Sequence, residues 1–80
     1  MDTEDLILTS FGNHLRILRE KKGLSQEEFA HRAGLDRTYI SGVENGRRNV
    51  SLKALNSIAN AMKINLAELF RDMENDEKPH

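Results

Sequence analysis

Two short helices with only Gly34-Leu35-Asp36 between them constrain this chain more than any other feature of it. Ser25-Gln26-Glu27-Glu28 opens the first of the pair as a capping box, in which the Ser25 hydroxyl accepts the N–H three residues on and Glu28 reaches back to the Ser25 N–H. Phe29, Ala30 and Ala33 lie on the side to be buried, and Gly34 ends the helix. Asp36 then starts a second helix that runs to the stop signal Asn45-Gly46. A glycine in so short a joint adopts positive φ without a Cβ clash, so the helices can cross steeply. Ala30 is small where they must pack closely. Such a pair is either a helix-turn-helix or an ordinary helical hairpin of a bundle.

The rest of the chain also reads as helix. Pro79 is the only proline, and the alternation expected of strands is missing. A helix from about Asp5 to Lys22 carries Leu8, Phe11, Leu15 and Leu18 on one stripe and stops at Gly23. Ser51 caps a fourth helix with the stripe Leu52, Leu55, Ile58, Ala59 and Met62. Asn65 caps a fifth, with Glu68 three residues later and Leu66, Leu69, Phe70 and Met73 on its apolar side. The expectation is one all-α domain of five helices over residues 1–74, followed by a polar tail, 75–80, that frays.

Composition narrows the function. An 80-residue chain with 38% apolar residues builds one small core and seldom a deep substrate cleft as well. The lack of cysteine excludes disulfide scaffolds, cysteine zinc sites and thiol catalysis, and suits a reduced cytoplasm. The longest apolar run, Leu6-Ile7-Leu8, is far short of the roughly 20 residues of a membrane span. The acidic start is the reverse of a signal peptide. No P-loop, GxGxxG, GxSxG or HExxH is present, and His14, His31 and His80 are scattered without metal-ligand spacing. A binding module is therefore expected, not an enzyme, with no metal and no cofactor. The net charge of −1 hides an asymmetry: residues 13–53 hold nine Lys/Arg against five Asp/Glu, while both ends are acidic. A basic middle either faces an anionic partner or is a solvated surface.

The faces of the third helix sharpen the choice. At about 100° per residue, Arg37, Thr38, Ser41, Gly42 and Asn45 share one arc, and Tyr39, Ile40 and Val43 fill the other. The polar arc is short and flat, as a helix entering a major groove about 12 Å wide requires. Arg37 can form a bidentate pair with guanine N7 and O6, while Thr38 and Ser41 can reach base edges. An arginine in a first helical turn is disfavoured by the helix dipole, which points to a use for it.

The stretch from Leu15 to Ala30, with Gly23-Leu24-Ser25-Gln26-Glu27-Glu28-Phe29-Ala30 at its end, then Ala33-Gly34-Leu35-Asp36 and Ile40-Ser41-Gly42-Val43-Glu44-Asn45-Gly46-Arg47, resembles the Cro/cI-type (XRE) helix-turn-helix family over about residues 13–70. Leu35-Asp36-Arg37-Thr38-Tyr39-Ile40-Ser41-Gly42-Val43-Glu44, followed by Arg48-Asn49, is most similar to controller proteins of restriction–modification systems. The resemblance implies a five-helix lambda-repressor-like fold and sequence-specific binding of double-stranded DNA by a bacterial, cytoplasmic, nucleoid-associated regulator acting on its own promoter. It assigns Gln26, Tyr39, Asn45, Arg47 and Arg48 to the DNA backbone, Arg37, Thr38 and Ser41 to bases, and Arg19 with Glu44 to a structural pair between the first and third helices. Gly42 replaces a larger polar residue that some relatives point at a base. On the same resemblance, Glu27 and Glu28 would touch RNA polymerase.

One recognition helix reads about four base pairs, so proteins of this motif usually pair across a twofold axis. Ile64, Leu66, Leu69, Phe70 and Met73 are more apolar than a terminal helix of so small a domain needs. Ile64, Leu66, Leu69 and Phe70 are expected in a homodimer interface. The alternative is an antitoxin-like or other protein-interaction module with secondary DNA binding, though only the short tail is spare for a partner.

Overall fold

The computed structural model describes residues 3–71 and 73, with side chains from Leu6 onward. The tail expected at 75–80 lies outside the described residues. Five helices follow in order: α1 (Thr3–Lys21), α2 (Gln26–Ala33), α3 (Arg37–Glu44), α4 (Leu52–Ala61) and α5 (Leu66–Phe70). Among the described residues there is no strand. α1 begins before the Asp5 expected of it.

The caps form where local chemistry calls for them. Ser25 Oγ accepts the Glu28 N–H at 3.0 Å, and Glu28 Oε1 accepts the Ser25 N–H at 3.1 Å. Asn65 and Glu68 repeat this reciprocal pair at the start of α5. Gly34 closes α2 at φ 68°, where its N–H bonds the His31 carbonyl and the Leu35 N–H bonds that of Ala30. This closure turns the chain sharply into α3. Asp36 precedes α3 in extended backbone but makes no side-chain cap bond, contrary to expectation.

α3 packs on both α1 and α2, while α4 joins α2 to α5. Leu15, Phe29, Ile40, Val43, Ile58 and Leu69 meet at the centre. Gly12 sits where α1 crosses the end of α3. A Cβ there would overlap the Val43 carbonyl oxygen and lie 2.6 Å from that of Glu44. His14 is buried, and its Nε2 donates to the Leu69 carbonyl at 2.7 Å, tying α1 to α5.

Two apolar assignments change. Leu52, expected in the buried stripe of α4, is 73% exposed. It is the first residue of that helix and lies about 120° round the axis from Ile58, which defines the buried side. Leu69 is 0% exposed, so it completes the core and has no surface to offer a second copy.

Candidate nucleic-acid interface

The third helix is held in place by a buried polar network. Arg19 Nε donates to Glu44 Oε2 at 2.7 Å, and Nη2 donates to Oε1 at 3.1 Å. The remaining fork nitrogen, Nη1, donates to the Leu24 carbonyl at 2.7 Å. One guanidinium thus joins α1, the turn before α2 and the last residue of α3. The hydrogen bond to Glu44 raises the Arg19 pKa, outweighing the opposing effect of burial, so the guanidinium stays charged. Among the described residues, every buried side-chain nitrogen and oxygen has a partner, which is the condition for a buried ion pair to hold one arrangement.

Gln26 extends that network. Its Nε2 donates to Glu44 Oε1 at 3.0 Å. A carboxylate only accepts, so this bond fixes which way the amide faces. The bond occupies one of the two amide N–H groups of Gln26. The Gln26–Glu44 bond joins residues too far apart in sequence for spacing alone to reveal it.

Arg37 and Thr38 are exposed at the N-terminal end of α3, and Ser41 is half-buried one turn on. These three share the outward arc expected of them. Asn45 is also exposed, but its Nδ2 donates to the Ser41 carbonyl at 2.9 Å and lies 3.4 Å from Ser41 Oγ. Its amide thus helps to finish its own helix. Arg47 is exposed, and its backbone N–H bonds the Gly42 carbonyl at 2.8 Å.

Tyr39 is half-buried at the edge of that arc, with the Arg48 guanidinium carbon 5.6 Å from its ring centroid. This is cation–π range. The Arg48 side chain also runs over Gly42, a contact that crosses from loop to helix and so escapes a helical-wheel reading.

Glu27 is exposed on the first turn of α2. Glu28 beside it is committed to the Ser25 cap, whose backbone N–H and hydroxyl lower the Glu28 pKa. Of the residues expected at a dimer interface, Phe70 is 43% exposed, whereas Ile64 and Leu66 are half-buried against the core. The Phe70 ring lies 5.6 Å from that of Phe11, beside an apolar hollow of about 220 Å³ that also touches Ile7, Leu8, Val50 and Leu55. Leu6 and Ile7 are 54% and 52% exposed. The apolar surface is therefore formed by the start of α1 together with Phe70. Among the described residues, no group of three His, Cys, Asp or Glu could hold a metal ion, and no helix is long and apolar enough to cross a membrane.

The model of the family described as helix-turn-helix matches residues 15–69. The control protein C.MunI of Mycoplasma sp is 55% identical over 67 residues, covering 82% of this chain and 90% of that protein. The control protein C.BamHI of Bacillus amyloliquefaciens is 42% identical over 61 residues, 75% of each chain. The crystal structure of the restriction-modification controller protein C.AhdI from Aeromonas hydrophila superposes with a TM-score of 0.79 at 52% identity, covering 81% of this chain and 98% of that one.

Proposed function

We propose, because this chain belongs to the helix-turn-helix family of DNA-binding transcriptional regulators, that it is the dimeric controller of a restriction–modification system and acts at its own promoter. The observation that carries this reading is the outward arc of α3. Arg37, Thr38 and Ser41 face away from the core on a helix that the Arg19–Glu44 network fixes against its neighbours. Arg37 reads guanine through its fork, and Thr38 and Ser41 add short polar contacts at base edges. Arg47, the second N–H of Gln26, the Tyr39 hydroxyl and the remaining atoms of Asn45 hold phosphates, which positions the helix without specifying sequence.

Two such helices reading half-sites require a twofold pair. The apolar surface around Phe70, Leu6 and Ile7 supports a second copy as its cover. Leu69 has no part in that contact, since it is inside. Phe70→Lys should leave a folded monomer in sedimentation; a persistent dimer would contradict this assignment. The exposed carboxylate of Glu27 is the stronger of the two candidates for touching RNA polymerase, since Glu28 is occupied by its cap. Glu27→Gln should reduce promoter activation with DNA affinity intact, and undiminished activation would count against that contact.

Selection of bound duplexes from a randomised pool at physiological salt tests the whole reading. It should recover a motif with twofold symmetry and half-sites about 10 base pairs apart, or a multiple of that. Recovery of no preferred duplex would refute sequence reading.

A further inference from the structure

We propose that the Asn45-Gly46 pair at the end of α3 is a site of spontaneous covalent modification, at which the Asn45 amide becomes a carboxylate when the last turn of α3 opens. Gly46 is the only glycine of the chain that follows an asparagine. With no Cβ to shield it, its backbone nitrogen is the least hindered of those that follow the asparagines. Once that nitrogen has given its proton to water, it attacks Asn45 Cγ. A new N–C bond closes a cyclic imide, the Cγ–Nδ2 bond breaks, and ammonia leaves with a proton returned by water. A second water adds to either imide carbonyl and cleaves one C–N bond. The product is aspartate, or isoaspartate with the backbone rerouted through Cγ. The balance is water taken up and ammonia released, with no oxidant and no other reactant.

The fold both imposes this pair and restrains it. Gly46 stands at φ 72°, and a Cβ there would lie 3.0 Å from Thr9 Oγ1 and 3.1 Å from Thr9 Cα, so the position requires glycine on two counts. Asn45 is exposed, so water reaches its amide. In the closed turn the reaction cannot start. Asn45 ψ is 5°, which sets the Gly46 nitrogen beside the Asn45 nitrogen and away from Cβ. The Gly46 N–H bonds the Val43 carbonyl at 3.0 Å, and Asn45 Nδ2 donates to the Ser41 carbonyl at 2.9 Å. Both bonds break when the turn opens, and helix ends open more readily than a core. The product closes the turn less well. A carboxylate has no proton for the Ser41 carbonyl, and its charge falls at the negative end of α3. On the reading that α3 enters the groove, that charge also opposes the phosphates and offsets the nearby Arg47.

Mass-spectrometric peptide mapping of the full chain tests this, with the chain incubated folded and in urea at mildly alkaline pH. In urea, Asn45 should convert before every other asparagine, including Asn56, which precedes Ser57. In the folded chain, conversion at Asn45 should be slower by about tenfold or more. Arg19→Met and Gly12→Ala both disturb the end of α3, so each should speed conversion at Asn45 severalfold while Asn56, inside α4, stays protected. Circular dichroism should show the variants folded, and Gly12→Ala carries the comparison if Arg19→Met unfolds. Asn45→Asp should weaken binding severalfold on the duplex selected from the randomised pool and on a scrambled one alike. Conversion in urea led by another asparagine would overturn the site. Equal rates in the folded and unfolded chain would overturn the control by the turn, and undiminished affinity of Asn45→Asp would overturn the effect on DNA. A pool that yields no preferred duplex refutes the DNA-reading account and leaves the mapping result standing, so the two failures are distinguishable.

Discussion

Gly12→Ala should destabilise the domain even though alanine is the best helix former. In an exposed helix interior, the change would stabilise by about 1 kcal/mol. Gly12, however, is buried at the α1–α3 crossing. The new Cβ would overlap the Val43 carbonyl oxygen and stand 2.6 Å from the Glu44 carbonyl oxygen and 2.9 Å from its carbon. All three atoms are backbone, so no rotamer change relieves the contact. The end of α3 must withdraw by roughly 1 Å to restore van der Waals distance. Overpacking of this kind costs about 1–3 kcal/mol. The withdrawal also stretches the Arg19–Glu44 bonds at 2.7 and 3.1 Å, because Glu44 is the residue that moves. The helix-propensity gain offsets only part of this, leaving a net loss of about 1 kcal/mol, or on the order of 5 °C in Tm for a domain of this size. Thermal and urea unfolding followed by circular dichroism would measure it. Gly42→Ala is the internal control, since there only the flexible Arg48 arm stands in the way. A Tm for Gly12→Ala equal to or above that of the parent would refute the crossing geometry.

Further outcomes follow from the same contacts. Arg19→Met leaves the Glu44 carboxylate, whose side chain is 2% exposed, without its main partner, and should cost about 3 kcal/mol or more in urea unfolding; a loss under about 1 kcal/mol would show the pair to be solvent-screened. Lys63 is the one non-glycine at positive φ among the described residues, at 59°. Lys63→Gly should therefore raise stability by about 1 kcal/mol, seen as a higher urea midpoint at unchanged slope, and a lower midpoint would contradict strain at that turn. Glu28 has a lowered pKa when folded, so its cap contributes above the unfolded value near 4.5 and is lost as pH falls through the folded value. Glu28→Gln should flatten the acid side of the stability curve, whereas a constant offset from the parent across pH 2–7 would mean that the carboxylate's charge has no part in it.

What was legible in the sequence follows the reach of each interaction. The capping boxes at Ser25 and Asn65 and the turn at Gly34 depend on residues within three or four positions, and each stands where spacing puts it. So does the outward arc of α3. Asp36 departs from its pattern because extended backbone at an N-cap does not oblige the side chain to turn back to the helix. Leu69 and Phe70 are neighbours on a helix of only five residues, too short for a wheel to say which points inward; the packing of α5 on α4 and the His14 bond to the Leu69 carbonyl decide it. Gly12 gave no sign in its own helix, since its reason is the backbone of Val43 and Glu44. The Gln26–Glu44 bond and the seating of Arg48 on Gly42 likewise arise only once the helices are assembled.

The central claim is that the outward face of α3 reads sequence, and Arg37 tests it most directly. Its affinity for the selected duplex and for a scrambled one should be compared with that of Arg37→Ala at the same salt concentration. The account predicts a loss of about 1–3 kcal/mol on the selected duplex, little change on the scrambled one, and a relaxed preference at one base pair. Equal weakening on both would make Arg37 a phosphate contact and contradict the account.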